Sequence, residues 1–328
     1  MEFSKTLQTL DWNTRCYGYS QEHEMLSTLL RALSRSTSVT KLIINTGIVR
    51  FVSVAFQELL TCTQSLKKLQ ISCVGYADAE FNAVQIATIT SGFANNTTLR
   101  DLEFQDWRQA DLAPVLTVLH DHSPLQKINF RKTGLGYLPA LSGLEELLRS
   151  QDSKVKELVL ERVDTHTVGF QSVLRELGRN TTVTNLTIRY SALSRESLQQ
   201  LKAVLRQNTV LQSLNLTFCY LESAGLAEIA PVLYLNTSIT VLDLTYNDLD
   251  DIESANVLCE LIRRNRTMTS LCIAHNAFGS NATAVRCIAD GVRSNATLQQ
   301  LNLCYCGLGD QGISVLASAL AARNASIL

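Results

Sequence analysis

The chain has 328 residues, enough for two or three ordinary domains or for one extended array of repeats. With 46% hydrophobic residues, 18% charged residues and only four prolines, it is neither a disordered tail nor a proline-rich linker. Twenty-nine basic against 30 acidic residues leave a net charge of -1, which argues against a phosphate-dominated grip on nucleic acid or on an anionic membrane.

No apolar run approaches the roughly 20 residues that span a bilayer. The opening Met1-Glu2-Phe3-Ser4-Lys5-Thr6 lacks the basic and apolar regions of a secretory signal. Nine irregularly spaced cysteines fit reduced thiols better than a disulfide framework, so the expected location is cytoplasmic.

Leucine supplies about one residue in six while aromatics reach only 6%, a skew that suggests many similar small cores. In chain order, an apolar triad spaced i, i+3, i+5 recurs. It reads Leu7-Leu10-Trp12, Val39-Leu42-Ile44, Leu66-Leu69-Ile71, Leu99-Leu102-Phe104, Leu125-Ile128-Phe130 and Val155-Leu158-Leu160. It continues as Val183-Leu186-Ile188, Leu211-Leu214-Leu216, Ile239-Leu242-Leu244, Met268-Leu271-Ile273 and Leu298-Leu301-Leu303, and a twelfth begins at Ile327.

The last two residues of each triad alternate with polar ones, which predicts a short strand with one buried face. A stretch of helical period follows, as in Phe170, Val173, Leu174 and Leu177 or Leu198, Leu201 and Leu205. Each unit of about 28 residues is then one strand and one helix, unable to bury its apolar side alone. Parallel strands sit about 4.8 Å apart and packed helices about 8–10 Å, so a stack of such units bends with the sheet on its concave face.

Asn96, Asn180, Asn208, Asn236, Asn265, Asn295 and Asn324 each stand three residues before the next triad. They are expected to close the preceding helix in a left-handed conformation. Elsewhere that place holds Ser4, Ser36, Thr63, His122 or Asp152. The chain is thus divided into an irregular first repeat or cap (1–37), irregular repeats (38–153), regular repeats (154–326) and the start of a truncated repeat (327–328).

These residues carry a family likeness. Leu211 to Asn236, LQSLNLTFCYLESAGLAEIAPVLYLN, and Leu298 to Asn324, LQQLNLCYCGLGDQGISVLASALAARN, resemble the leucine-rich repeats of ribonuclease inhibitor. That repeat class also forms the sensor regions of NOD-like receptors and Ran GTPase-activating protein. The resemblance implies an α/β fold, a leucine-rich-repeat solenoid or horseshoe of about eleven repeats. Its parallel sheet would line the concave face, its helices the convex face, and its concave sheet and loop edge would bind proteins.

The resemblance further implies Asn or Cys five residues after the central leucine, satisfying the backbone of the turn. Cys219, Asn247, Asn276 and Cys306 match and Ser191 is close, whereas Arg15, Gly47, Val74, Trp107, Thr133 and Val163 depart. No G-x-x-x-x-G-K-[ST] loop and no acidic tail of the Ran-activator kind occur.

Gly307-Leu308-Gly309-Asp310-Gln311-Gly312 spells a dinucleotide-binding fingerprint, but sister units place Cys219 to Gly225 and Asn276 to Gly279 in the same slot. We therefore read the glycines as turn chemistry and expect no cofactor. Ten Asn-x-[Ser/Thr] sequons arise largely from the cap asparagines and are read as unglycosylated. His120-Asp121-His122 lacks a third ligand, and of the Cys272, His275, Cys304 and Cys306 group Cys306 is read as a ladder residue and Cys272 and Cys304 as facing the concave groove, so no metal is expected. Five scattered histidines assemble no catalytic triad, so the chain is read as non-enzymatic.

Four residues after the central leucine, consecutive units present Tyr190, Phe218, Tyr246, His275 and Tyr305, a stripe about 20 Å long if each step is one strand spacing. Such residues either anchor a protein partner or stack to shield the turns beneath. Charged residues precede the stripe in blocks: Asp101, Glu103, Gln105 and Asp106, then Lys127, Arg131 and Lys132, then Glu157, Glu161, Arg162 and Arg189. They either pair across strands or orient a partner.

The reading is a protein-binding scaffold or the recognition region of a larger regulator. Tyr190, Phe218, Tyr246, His275 and Tyr305 serve as anchors, and Asp106, Arg131, Arg162 and Arg189 set orientation. Two alternatives stand beside it: a GTPase-activating protein resembling the Ran activator, for which no catalytic Arg or Asn can be assigned, and a structural fragment of a longer array.

Overall fold

A computed structural model describes residues 7–12, 20–72, 81–106, 113–119, 124–132 and 138–325. Ser4, Arg15, Val74, Trp107, Thr133, the His120-Asp121-His122 run and the triad start at Ile327 and Leu328 lie outside them. The chain forms two units, Met1–Val163 and Asp164–Leu328.

In the first unit, strands β1 (Thr9–Trp12), β2 (Lys41–Asn45), β3 (Lys68–Ser72), β4 (Asp101–Gln105), β5 (Lys127–Arg131) and β6 (Glu157–Glu161) follow in sequence order. Helices α1 (Ser20–Ser34), α2 (Thr46–Phe51), α3 (Ser53–Cys62), α4 (Ala83–Ala94), α5 (Ala113–Val118) and α6 (Leu138–Arg149) lie between them. The second unit alternates α7 (Val168–Arg179), β7 (Asn185–Arg189), α8 (Arg195–Gln207), β8 (Ser213–Asn215), α9 (Glu222–Leu233) and β9 (Val241–Asp243). It continues with α10 (Ile252–Arg264), β10 (Ser270–Cys272), α11 (Ala282–Ser294), β11 (Gln300–Asn302) and α12 (Gly309–Ala325).

The strands pair in parallel with the central apolar residues in register. Leu10, Leu42, Leu69, Leu102, Ile128 and Leu158 align in the first unit. Leu186, Leu214, Leu242, Leu271 and Leu301 align in the second. A slip of one residue would turn every such side chain to solvent. The central residues from Leu42 to Leu271 are buried almost completely, and each contributes about 2 kcal/mol of apolar burial. Helical faces complete the core as the sequence period predicts: Phe170, Val173, Leu174 and Leu177 are buried, as are Leu198, Leu201 and Leu205. Side-chain caps start the helices at Asn82, Thr167, Ser194, Asp251 and Asn281, each accepting a bond from an amide of the first turn.

The repeated asparagines do close the helices, but not in the left-handed conformation expected of them. Asn180, Asn208, Asn265 and Asn295 are extended, with φ between -68° and -97° and ψ between 127° and 139°. Their side chains act instead. Asn208 Nδ2 donates to Leu177 O (2.7 Å) and Asn180 O (3.0 Å) of the preceding repeat, while its Oδ1 accepts from the amides of Val210 and Leu211. Asn265 and Asn295 repeat all four bonds, and Asn96 and Asn236 repeat three.

The extended backbone follows, because only there does one amide reach both the strand ahead and the helix end beside it. In the irregular repeats Ser36, Thr63 and Ser153 accept from a strand amide, and Ser65 Oγ supplies bonds to Ser36 O and Val39 O. The sequon asparagines at 96, 180, 236, 265 and 295 are buried in these bonds and closed to a glycan.

A second ladder runs five residues after the central leucines, where the family likeness implies it. Asn247 Nδ2 donates to Leu216 O (2.7 Å) and its Oδ1 accepts from the amides of Cys219 and Leu221. Asn276 does the same for Leu244 O and the amides of Asn247 and Leu249. The Cys219 and Cys306 thiols donate to Ile188 O (3.0 Å) and Ile273 O (3.1 Å). Where Gly47 departs from the pattern the chain runs straight into α2, and Val163 is simply buried.

Replacing Asn208 by Ala removes all four of these bonds, leaving the Val210 and Leu211 amides without this acceptor, and is expected to cost about 3 kcal/mol in urea unfolding. Asn281→Ala, at an exposed cap, costs about 1 kcal/mol. Equal losses would contradict the ladder. Burial pushes the Cys219 thiol from 9.0 up to about 12. The neutral form is the one the fold holds, so this stabilisation is complete below pH 9.0 and is lost as pH rises towards about 12. The urea midpoint above pH 9 should therefore fall more steeply in the natural chain than in Cys219→Ser.

Candidate functional site

At the fourth residue after the central leucine the backbone turns left-handed in every described repeat from β4 onward. Asp106, Lys132 and Arg162 adopt φ of 50–58° in the first unit. Tyr190, Phe218, Tyr246, His275 and Tyr305 adopt 53–59° in the second. Bulky side chains rarely take this conformation, which costs about 1–2 kcal/mol per residue. The strand ladder holds it: the amides of Tyr190, Phe218, Tyr246 and His275 donate to Thr217 O, Thr245 O, Ala274 O and Cys304 O of the next repeat, at 2.9–3.1 Å. The buried ladder residue that follows each of them fixes the other side of the turn.

With phase and conformation repeated, the five rings of the second unit meet as one column. Centroid distances are 5.3 Å from Tyr190 to Phe218 and 4.9 Å to Tyr246, both tilted. They are 4.0 Å from Tyr246 to His275 and 4.3 Å to Tyr305, both nearly parallel. The steps run from 4.0 to 5.3 Å, close to a strand spacing, so the rings are in contact rather than merely aligned. Tyr220, absent from the predicted stripe, adds an edge-on contact to Phe218 at 5.6 Å. It too is left-handed, at φ 51°. The column is stacked yet not buried: Tyr190 and Tyr246 are about two-fifths exposed, Tyr220 53% and Tyr305 79%.

The charged residues behave differently. Asp106, Arg131 and Arg162 belong to the first unit and Arg189 to the second, beside Tyr190. In the first unit charges pair across neighbouring strands: Lys68 with Asp101 (2.7 Å), Lys127 with Glu157, Arg131 with Glu161 (3.0 Å) and Lys132 with Asp106 (3.5 Å). Asp106 also accepts from Gln105 Nε2. Cross-strand pairing thus accounts for Asp106 and Arg131 without a partner. Part-exposed pairs of this kind contribute at most about 1 kcal/mol each, while the Glu161 carboxylate, 5% exposed, depends on Arg131.

On the sheet face of the second unit Asp243 accepts from Asn215 Nδ2 (3.2 Å), the Thr245 amide (2.9 Å) and Thr245 Oγ1 (2.6 Å), and Thr245 Oγ1 lies 3.0 Å from Cys272 Sγ. Burial raises the Cys306 thiol, whereas Cys304 is exposed. Among the described residues no group of three or more His, Cys, Asp or Glu is placed to hold a metal ion. Gly307 and Gly309 have φ of 72° and 57° with open space at each Cβ position, so they serve the turn into α12. No described helix is long and apolar enough to cross a membrane.

A family model described as Leucine Rich repeat matches residues 207–230, 235–252 and 294–317. No curated protein sequence matches the chain. Among solved structures, the leucine-rich repeat-containing protein LegL7 from Legionella pneumophila is 15% identical over 96% of this chain and 98% of its own, with a TM-score of 0.58. At that identity the likeness is one of fold. The Actin-Binding Site 2 of leiomodin-1 is 19% identical over 47% of this chain and 91% of its own, with a TM-score of 0.38, too loose a superposition to carry a functional comparison. The aligned parallel strands, the matched repeats and the likeness to LegL7 make the fold a leucine-rich-repeat solenoid.

Proposed function

We propose that the second unit is a non-enzymatic protein-recognition surface and that the ring column from Tyr190 to Tyr305 is its anchor. The observation that carries this reading is a column of five touching rings in which the three tyrosines are exposed and Phe218 and His275 half-buried. If the rings served only to shield the turns, burial would be their gain; here Tyr190 and Tyr246 stay about two-fifths exposed, and the turns beneath are already sealed by Cys219, Asn247, Asn276 and Cys306. Tyrosines held rigid by stacking bury large area on binding at little entropic cost, which is the property of interface hot spots. Arg189, beside Tyr190 in the same unit, would orient the partner.

Repeats of 28–30 residues from Val155 onward, with Cys219, Asn247, Asn276 and Cys306 at the ladder position, support the ribonuclease-inhibitor-like subtype. Thiols that donate to carbonyls at Cys219 and Cys306 support a reducing, cytoplasmic setting. The Ran-activator alternative places a GTPase, rather than an unspecified protein, on this surface, and acceleration of GTP hydrolysis by the purified chain would favour it.

The double substitution Phe218→Ala, Tyr246→Ala is expected to abolish retention of the cellular partner in affinity capture. Thermal unfolding should fall by only a few degrees, since each ring contact contributes about 1 kcal/mol. Unchanged retention, or loss of folding in proportion, would overturn the reading.

A further inference from the structure

We infer that the partner segment seated on the second unit is basic: an extended stretch of polypeptide carrying two or more arginine or lysine side chains. The inference rests on the reading of the ring column as a docking surface and names the chemistry that surface selects.

Four carboxylates of the second unit lie within four residues of Phe218 or Tyr246. Asp243 lies on the sheet face of β9, three residues before Tyr246. Asp248 and Asp250 follow Tyr246 at alternate positions, and Glu222 holds the position in the preceding repeat that Asp250 holds in its own. Asp248, Asp250 and Glu222 are exposed and Asp243 is half-buried. Every partner of Asp243 is a neutral Asn or Thr group. Among the described residues none of the four enters an ion pair, whereas Asp164 pairs with His166, Glu228 with Lys202, Glu260 with Arg263 and Asp290 with Arg293.

Apart from Arg189 at the end of β7, the cations of this unit sit in helices or in the turn after α10. The strand and turn segments that carry the rings are therefore net negative, with Asp243, Asp248 and Asp250 against Arg189, whereas the helices hold residues of both signs. Such a field draws basic segments to the column and repels nucleic acid and acidic peptides.

The rings set the manner of contact. Stacking closes the faces of Tyr246 and His275, so a cation finds no seat over them and meets ring edges and phenolic hydroxyls instead. A lysine or arginine answers both features at once. Its methylene stem packs along the ring edges while its charged head reaches Asp243, Asp248 or Asp250.

The test titrates the full chain, at low salt, with three synthetic peptides: acetyl-Arg-Gly-Arg-Gly-Arg-amide, the Glu counterpart and the Leu counterpart. Amide chemical shifts of residues 217–222 and 243–250 are followed. The Arg peptide should give saturable shifts that weaken with salt and lose about tenfold in affinity in Asp243→Asn, Asp248→Asn, Asp250→Asn, while the Glu peptide leaves these amides unmoved. Asp248→Asn, Asp250→Asn, both exposed, carries the same expectation should Asp243→Asn disturb the fold.

A response to the Leu peptide with none to the Arg peptide overturns the basic partner and leaves the column a docking surface. An Arg response unchanged in the variants also overturns it. Silence towards all three peptides overturns it, and the docking reading is then decided by the Phe218→Ala, Tyr246→Ala capture.

Discussion

The structure depends on a demand that every repeat faces: the backbone groups between a helix end and the next strand are buried and must find partners. A single asparagine meets it by spending one side-chain amide on two repeats at once, donating back to the preceding helix end and accepting from its own strand. Because the bonds span adjacent repeats, they fix how far apart and in what phase the repeats lie. The alignment of Leu186, Leu214, Leu242 and Leu271 follows from that spacing, and the second ladder at Cys219, Asn247, Asn276 and Cys306 repeats the solution at the other end of the strand.

The two units meet the same demand with different chemistry and acquire different surfaces. In the first, serine and threonine replace most of the asparagines and make fewer bonds each. The five-residue strands β2 to β6 bring charges opposite one another, so this face largely satisfies itself through Lys68–Asp101, Lys127–Glu157 and Arg131–Glu161. In the second, β8 to β11 shorten to three residues, and the sheet face carries Thr217, Asp243, Thr245 and Cys272 in place of facing ion pairs. Rings stand at the turn where the first unit has Asp106, Lys132 and Arg162. A row that is electrostatically self-paired in one unit is aromatic and open in the other.

Much of this was legible in the residues, because apolar spacing is set by strand and helix geometry and survives without context. The central residue of each of the eleven triads lies in a strand, although in β8 to β11 the third residue falls just past the strand's end, and the apolar residues named for α7 and α8 are buried, with Val204 beside them. The asparagines were found by position but misjudged in conformation. Their left-handed propensity is local, whereas the four bonds that hold Asn208 extended come from two repeats. The left-handed row was missed for the converse reason: Tyr, Phe, Arg and Lys carry no propensity for it, and the next strand imposes it through the amide at each turn. The ring stripe was foreseen, but Tyr220 was not, since its contact with Phe218 requires left-handed residues at both 218 and 220. The selective pairing of Arg131 with Glu161 depends on register, which only the assembled strands reveal.

The central claim is that phase alone brings rings nearly thirty residues apart into one stack, and His275 reports on it directly. Its imidazole lies between Tyr246 at 4.0 Å and Tyr305 at 4.3 Å, whereas the side chain of His166 is 70% exposed. In a proton spectrum of the whole chain the His275 ring resonances should stand well upfield of those of His166, and Tyr246→Ala or Tyr305→Ala should each return them part of the way. Resonances of His275 that coincide with those of His166, unmoved by either substitution, would contradict the account.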